Sequence, residues 1–211
     1  MINHHPSDFS LARLAGGTLE AGPRLVVATH LSGCPQCRGR LRSFEAVGGA
    51  MLDEAEPARL SPEAFQRALG RLGDADPRAE PQPRVLHPDL PPPLNAYYEI
   101  GPWRQVGRGF QWRRLRLPES PGANVIMLRV AAGQPVPHHG HSGAEYTQVL
   151  SGSYSDALGR FGAGDCIELD EEVRHQPVVD PDGECVCVAA VEGKLKLSGW
   201  IGRLIQPLIG I

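Results

Sequence analysis

The sequence predicts an α+β protein in two domains. Residues 1–73 form a small four-helix domain, residues 74–93 a proline-rich linker, and residues 94–211 an all-β sandwich or jelly-roll barrel. Three observations predict this. In the first third, apolar residues recur at spacings of three and four between helix start and stop signals. Prolines then crowd a stretch with few apolar side chains. Beyond it, short β-rich runs alternate with Gly and Pro turns, with no helix-length period before the last residues.

The helices can be taken in order. Ser7 or Asp8 caps a first helix carrying Phe9, Leu11, Leu14 and Ala15, and Gly16-Gly17 ends it. Pro23 opens a second apolar stretch, Leu25 to Leu31, which Ser32-Gly33 stops. Pro35 sits where a first helical turn tolerates proline, and Leu41, Phe44, Val47 and Met51 make one stripe along a third helix. Ser61-Pro62-Glu63 starts a fourth, with Phe65, Leu69 and Leu72 as its apolar face. Four short helices make a modest core that would gain from a metal staple. The linker holds Pro77, Pro81, Pro83, Pro88 and Pro91-Pro92-Pro93 and reads as extended and semi-rigid. The strands expected after it are Phe110–Leu117, Asn124–Val130, Glu145–Ser151, Ser153–Asp156, Cys166–Leu169 and Glu184–Val191.

Composition narrows the class. With 211 residues and 41% hydrophobic content, the chain has material for two small cores. A net charge of −3 argues against direct nucleic-acid binding. The start shows no signal peptide, and no apolar run is long enough to span a membrane. Five cysteines without an export signal favour metal or redox use over disulfides, so a cytoplasmic location is expected.

Two clusters carry chemistry. His30-x-x-x-Cys34-x-x-Cys37 sets two thiolates across a tight turn at a helix start, with an imidazole near the end of the preceding helix. The fourth tetrahedral position falls to the adjacent pair His4-His5. The competing redox reading of Cys-x-x-Cys expects an α/β context that the pattern lacks. The second cluster is Pro137–Glu145. His139 and His141 are two apart and share one face of an extended chain; Glu145 returns to that face, and His175 is the candidate fourth ligand from a distant strand. Imidazole and carboxylate suit a divalent Zn, Fe, Mn or Ni ion. His138 breaks the alternation and is expected to face away. Cys185-x-Cys187 puts both sulfurs on one face of an apolar strand, either as buried small hydrophobes or as thiols that an oxidant entering the barrel would reach. Cys166 is expected to pack in a core. Trp103, Trp112 and Trp200 are expected to anchor the barrel, and the apolar tail from Leu204 to Ile211 to dock.

Two resemblances follow from these residues. The run Gly133, His139-Gly140-His141, Glu145, Gly152 matches the spacing of the first cupin motif, and Phe161-Gly162-Ala163-Gly164-Asp165 with His175 resembles the second; Asp170, Glu172 and Val179 depart from it at a turn and a strand end. The His-x-x-x-Cys-x-x-Cys element, with Leu25–Cys37 around it and Ala46-Val47-Gly48-Gly49 after it, resembles the zinc-containing anti-sigma factors. Among them it is similar to the ChrR-type members, which carry a cupin domain after the anti-sigma domain.

The resemblance implies a structural zinc held by His5, His30, Cys34 and Cys37, and a cupin metal held by His139, His141, Glu145 and His175. That makes two zinc per chain, although the cupin metal could be another divalent ion. It also implies a non-enzyme. Its partner is an extracytoplasmic-function sigma factor in a 1:1 complex, with no nucleic acid and no membrane. Leu11/Leu14 and Phe44/Val47/Met51 would touch sigma. The cupin would sense an oxidative signal, singlet oxygen or an organic peroxide, and release sigma through the linker. Two other readings stand beside this one. The first is a cupin dioxygenase with a structural zinc domain, for which Tyr146, Arg113 and Tyr154 would orient substrate. The second is an interaction module whose cupin binds a small ligand.

Overall fold

A computed structural model describes residues 2–72, 90–95 and 99–197. Most of the linker, Trp200 and the apolar tail therefore lie outside the described residues.

Among the described residues five helices come in order: α1 (Asp8–Ala15), α2 (Ala21–Gly33), α3 (Pro35–Asp53), α4 (Ala64–Arg71) and the single turn α5 (Pro92–Asn95). The predicted caps operate. The Ser7 hydroxyl accepts from the Ser10 amide at the start of α1, Gly16 follows its last residue, and Pro35 occupies the first turn of α3. One expectation about the linker is corrected. Pro91-Pro92-Pro93 is not wholly extended, because Pro92 opens a helical turn, where a missing N–H costs nothing, and Leu94 anchors it fully buried.

Twelve strands follow: β1 (Glu99–Ile100), β2 (Arg104–Gln105), β3 (Phe110–Leu117), β4 (Ser120–Val130), β5 (His139–His141), β6 (Glu145–Ser151), β7 (Ser153–Asp156), β8 (Gly159–Gly162), β9 (Cys166–Leu169), β10 (Val178–Val179), β11 (Cys185–Val191) and β12 (Leu195–Leu197). The large antiparallel sheet runs β1-β3-β4-β11-β6-β9, with β2 beside β3; β10-β7-β8 and β12-β5 complete the barrel. All six expected strands are present, and β4 begins earlier, at Ser120. Gly152 turns β6 into β7 at φ +71°, and a Cβ there would lie 2.1 Å from the Glu184 carbonyl oxygen, so only glycine fits.

Alternation along the large sheet divides its side chains between two environments. Val130, Val149 and Cys185 face the barrel interior with Tyr154 and Phe161. Val125, Met127, Tyr146, Val188 and Ala190 face outward. Helix α2 lies on this outer face, and Leu25, Val26 and Val27 share one core with it and with Leu11 of α1. The approach is close: a Cβ on Gly22 would touch Ala190 and Val125 at 3.2 Å.

The modest core expected of the helices is completed on the barrel. Short helices bury too little apolar surface among themselves. Leu11, expected to contact a partner, is fully buried in this shared core, and α4 has no buried residue. Val47 and Met51 are exposed, and Phe44 is half-buried.

The N-terminal segment is tied to the barrel through Asp165. Its carboxylate accepts from the amides of Asn3 (2.7 Å), His4 (3.0 Å) and Gly162 (2.9 Å) and from His4 Nδ1 (3.1 Å), while the Cys166 amide donates to the His4 carbonyl. Burial alone would raise the Asp165 pKa, but these donors bring it below the ordinary carboxylate value. A carboxyl with a lowered native pKa adds stability above its unfolded value of about 4, and that stability is lost as the pH falls through the native value. Asp165→Asn is therefore expected to be less stable than wild type in urea at pH 7. The difference should shrink at pH 3; an equal difference at both pH values would contradict this role.

Candidate metal centres

The α2–α3 junction builds the first centre. Helix α2 ends at Gly33 and Cys34 caps α3, its sulfur accepting from the Cys37 amide at 3.4 Å. One turn back, His30 points the same way. The N-terminal segment brings His5 to the same place, and the donor atoms of His5, His30, Cys34 and Cys37 all lie within 4.8 Å of one another. His5 Nδ1 is 3.4 Å from His30 Nε2, 3.5 Å from Cys34 Sγ and 3.3 Å from Cys37 Sγ. A tetrahedral ion with bonds of about 2.0–2.1 Å to nitrogen and about 2.3 Å to sulfur has edges of about 3.3–3.6 Å. The donor set fits such an ion.

Protonation supports the same fit. His30 Nδ1 faces two acceptors, the Gln148 side-chain oxygen at 3.1 Å and the Gly164 carbonyl at 3.0 Å. It therefore carries the proton and leaves the Nε2 lone pair toward the cluster. Burial lowers the His30 pKa and keeps the ring neutral. Burial and the adjacent Cys34 push the Cys37 thiol up to about 12, so Cys37 ionises when a dication offsets the cost. Of the adjacent histidines, His5 joins the cluster and His4 is held by Asp165. Sequence reasoning passed over Gln148, whose outward position on β6 was the available signal.

The second centre lies in the barrel mouth. The donor atoms of His139, Glu145 and His175 lie within 4.8 Å of one another. His141 stands outside that group, with its Nε2 3.7 Å from Glu145 Oε2. Every imidazole is oriented by an Nδ1–H donor bond: His139 to the Pro137 carbonyl (2.8 Å), His141 to the Gly143 carbonyl and His175 to the Asp156 carboxylate (2.8 Å). The three Nε2 lone pairs therefore face Glu145. His139 and His175 bring theirs to 2.9 Å of each other, and His141 Nε2 and Glu145 Oε2 are buried without a hydrogen-bond partner. Facing lone pairs and orphaned buried acceptors fit a cation and little else. Burial opposes ionisation of Glu145, yet the close approach of His139, His175 and His141 holds its pKa at about 2. Thr147 donates to its other oxygen at 3.0 Å.

A cavity of about 50 Å³ opens on this centre. Tyr154, Cys185 and Cys187 line it with Leu128, Val130 and Val136. Both sulfurs do face inward, but burial pushes Cys185 up to about 12 and Cys187 well above its ordinary value, so both are neutral thiols. Two residues considered for substrate binding are elsewhere. Tyr146 bonds Ser10 of α1 at 3.1 Å, and Arg113 lies in an outer groove; both alternate away from the interior. His138 is exposed, and Cys166 is buried in the shared core.

Comparison with known proteins sets this arrangement among relatives. A family profile for the ChrR cupin-like domain matches residues 98–193. The anti-sigma-E factor ChrR of Cereibacter sphaeroides is 39% identical over 214 residues, covering all of this chain and 99% of that protein. The chain belongs to the ChrR family of anti-sigma factors. The structure is also similar to that of ChrR in the crystal structure of Rhodobacter sphaeroides SigE in complex with the anti-sigma ChrR. That likeness has a TM-score of 0.74 and 37% identity, over 91% of this chain and all of the ChrR chain. Both candidate metal centres therefore sit in a ChrR-family framework.

Proposed function

We propose that this ChrR-family chain binds and inhibits an extracytoplasmic-function sigma factor as a 1:1 complex in the cytoplasm and releases it on an oxidative signal sensed at the barrel. The full-length similarity to an anti-sigma factor, which includes the one seen with its sigma partner, carries this reading. His5, His30, Cys34 and Cys37 would hold zinc, which would pin the N-terminal segment to the α2–α3 turn. His139, His141, Glu145 and His175 would hold the second divalent ion. Residues 1–73 serve as the inhibitory unit and 94–211 as the sensing unit. A dioxygenase reading has only Tyr154 left in the cavity from the three residues considered for substrate binding.

Coupling between the units need not pass through the linker. Strand β6 carries Glu145 of the barrel centre and, three residues later, Gln148, which orients His30 of the helical centre. The intervening Tyr146 holds Ser10 of α1. A shift of β6 when the barrel centre changes would reach His30 directly.

The sigma-binding face is the apolar surface that the helices leave exposed. Val47 and Met51 of α3 are 60% and 69% exposed, and Phe65 and Leu72 by α4 are 67% and 81% exposed. Val47→Asp with Met51→Asp is expected to weaken sigma binding by about a hundredfold or more. Metal content should be unchanged. Unaltered sigma affinity in a pull-down titration would move the interface off this face.

A further inference from the structure

The outer face of the large sheet is only partly covered by α2. Beyond the helix lies a groove of about 530 Å³, lined by Leu90, Pro91, Met127, Leu150 and Val186 and by the side chains of Arg113, Arg129 and Trp103. It is on the opposite side of the sheet from the barrel metal centre. The two guanidiniums stack on one indole, with centroid distances of 4.3 Å for Arg113 and 4.6 Å for Arg129. Both Nε atoms are buried without a hydrogen-bond partner. Glu184 is the acid among the lining residues, and at 3.9 Å from Arg129 Nε it is too far for a hydrogen bond. Arg113 Nη2 donates to the Met127 sulfur, a weak acceptor, at 3.2 Å.

Two cations held side by side repel each other, and a buried N–H of a charged group left unpaired is costly. Indole stacking offsets part of this and holds both planar forks rigid. Among the described residues, the pair lacks an oxyanion close enough to accept from the two Nε donors. The remaining walls are apolar, and the volume falls in the range of small-molecule sites, about 300–1,000 Å³. We infer that this groove is a binding site for a small organic anion with an oxyanion head and an apolar body. The head sits between Arg113 and Arg129, and the body lies along Leu90, Leu150 and Val186. The inference is independent of sigma binding and of both metal centres.

The test uses the full-length, metal-loaded chain and calorimetric titration with decanoate, inorganic phosphate and decanol. Decanoate is expected to bind at one site per chain, about tenfold or more tighter than phosphate or decanol. Arg129→Gln should weaken decanoate by about tenfold or more, and Arg129→Lys should fail to restore it fully, because a point charge lacks the planar fork. Equal metal content and unfolding temperature in wild type and both variants establish that the fold is kept. If Arg129→Gln fails to fold, Leu150→Asp, on the apolar wall, provides the same comparison and should repel the anion. Absence of saturable decanoate binding, or binding unchanged in these variants, would overturn the inference. Phosphate binding as tight as decanoate would overturn the apolar half of it.

Discussion

Replacing Cys34 and Cys37 together by serine is expected to remove one of two metal equivalents per chain and to abolish sigma binding. Serine offers no thiolate, and two imidazoles alone make a weak site. Apparent binding energies for structural zinc are about 10–16 kcal/mol, so its loss is enough to release whatever it fastens. Here that is the junction of three segments: the N-terminal segment bearing His5, the end of α2 and the start of α3. The barrel has its own interior core and should stay folded. His5→Ala should reproduce the metal loss. His4→Ala should not, since His4 belongs to the Asp165 tether. Metal analysis together with sigma pull-down reads both outcomes. A Cys34→Ser/Cys37→Ser chain that still binds sigma would detach inhibition from this centre.

His139→Ala is expected to have the complementary effect. It removes the Nε2 that lies 2.9 Å from that of His175, so the barrel should lose its ion while the helical centre keeps its own. The complex with sigma should still form, and the response should fail. In cells exposed to singlet oxygen or an organic peroxide, a reporter for the sigma factor should stay near its uninduced level. Gln148→Ala tests the connection itself. Loss of an outer partner to a metal-bound histidine typically costs about 10–100-fold in metal affinity. This variant should weaken the helical centre by that much while leaving the barrel ion in place. Full induction in His139→Ala would show that sensing does not use the barrel ion.

What the sequence revealed was local. His30, Cys34 and Cys37 lie within one helical junction, and His139, His141 and Glu145 within one strand–turn–strand, so spacing alone placed them. Helix ends were legible from Ser7, Gly16 and Pro35 for the same reason. Non-local contacts were not. Strand β5 is three residues long and exists through its pairing with Leu195–Leu197, which has no signal of its own. Leu11 looked like half of an exposed stripe, because periodicity shows that a face is apolar and not what covers it. The burial of α2 did leave a trace. Leu25, Val26 and Val27 are consecutive and apolar, so they point in several directions around the helix and mark one covered on more than one side. Gln148, Asp156 and Asp165, which orient histidines, each act on a residue distant in sequence. The groove at Arg113 and Arg129 pairs residues from two strands with Trp103, and spacing could not join them.

The most direct measurement is the mass and metal content of the chain mixed with an extracytoplasmic-function sigma factor from the same organism. Light scattering on the eluting species should give a 1:1 complex with two metal ions per chain. The same complex should form with one ion in His139→Ala, and no complex in Cys34→Ser/Cys37→Ser. Sigma eluting free of the metal-loaded wild-type chain would contradict a metal-dependent anti-sigma function.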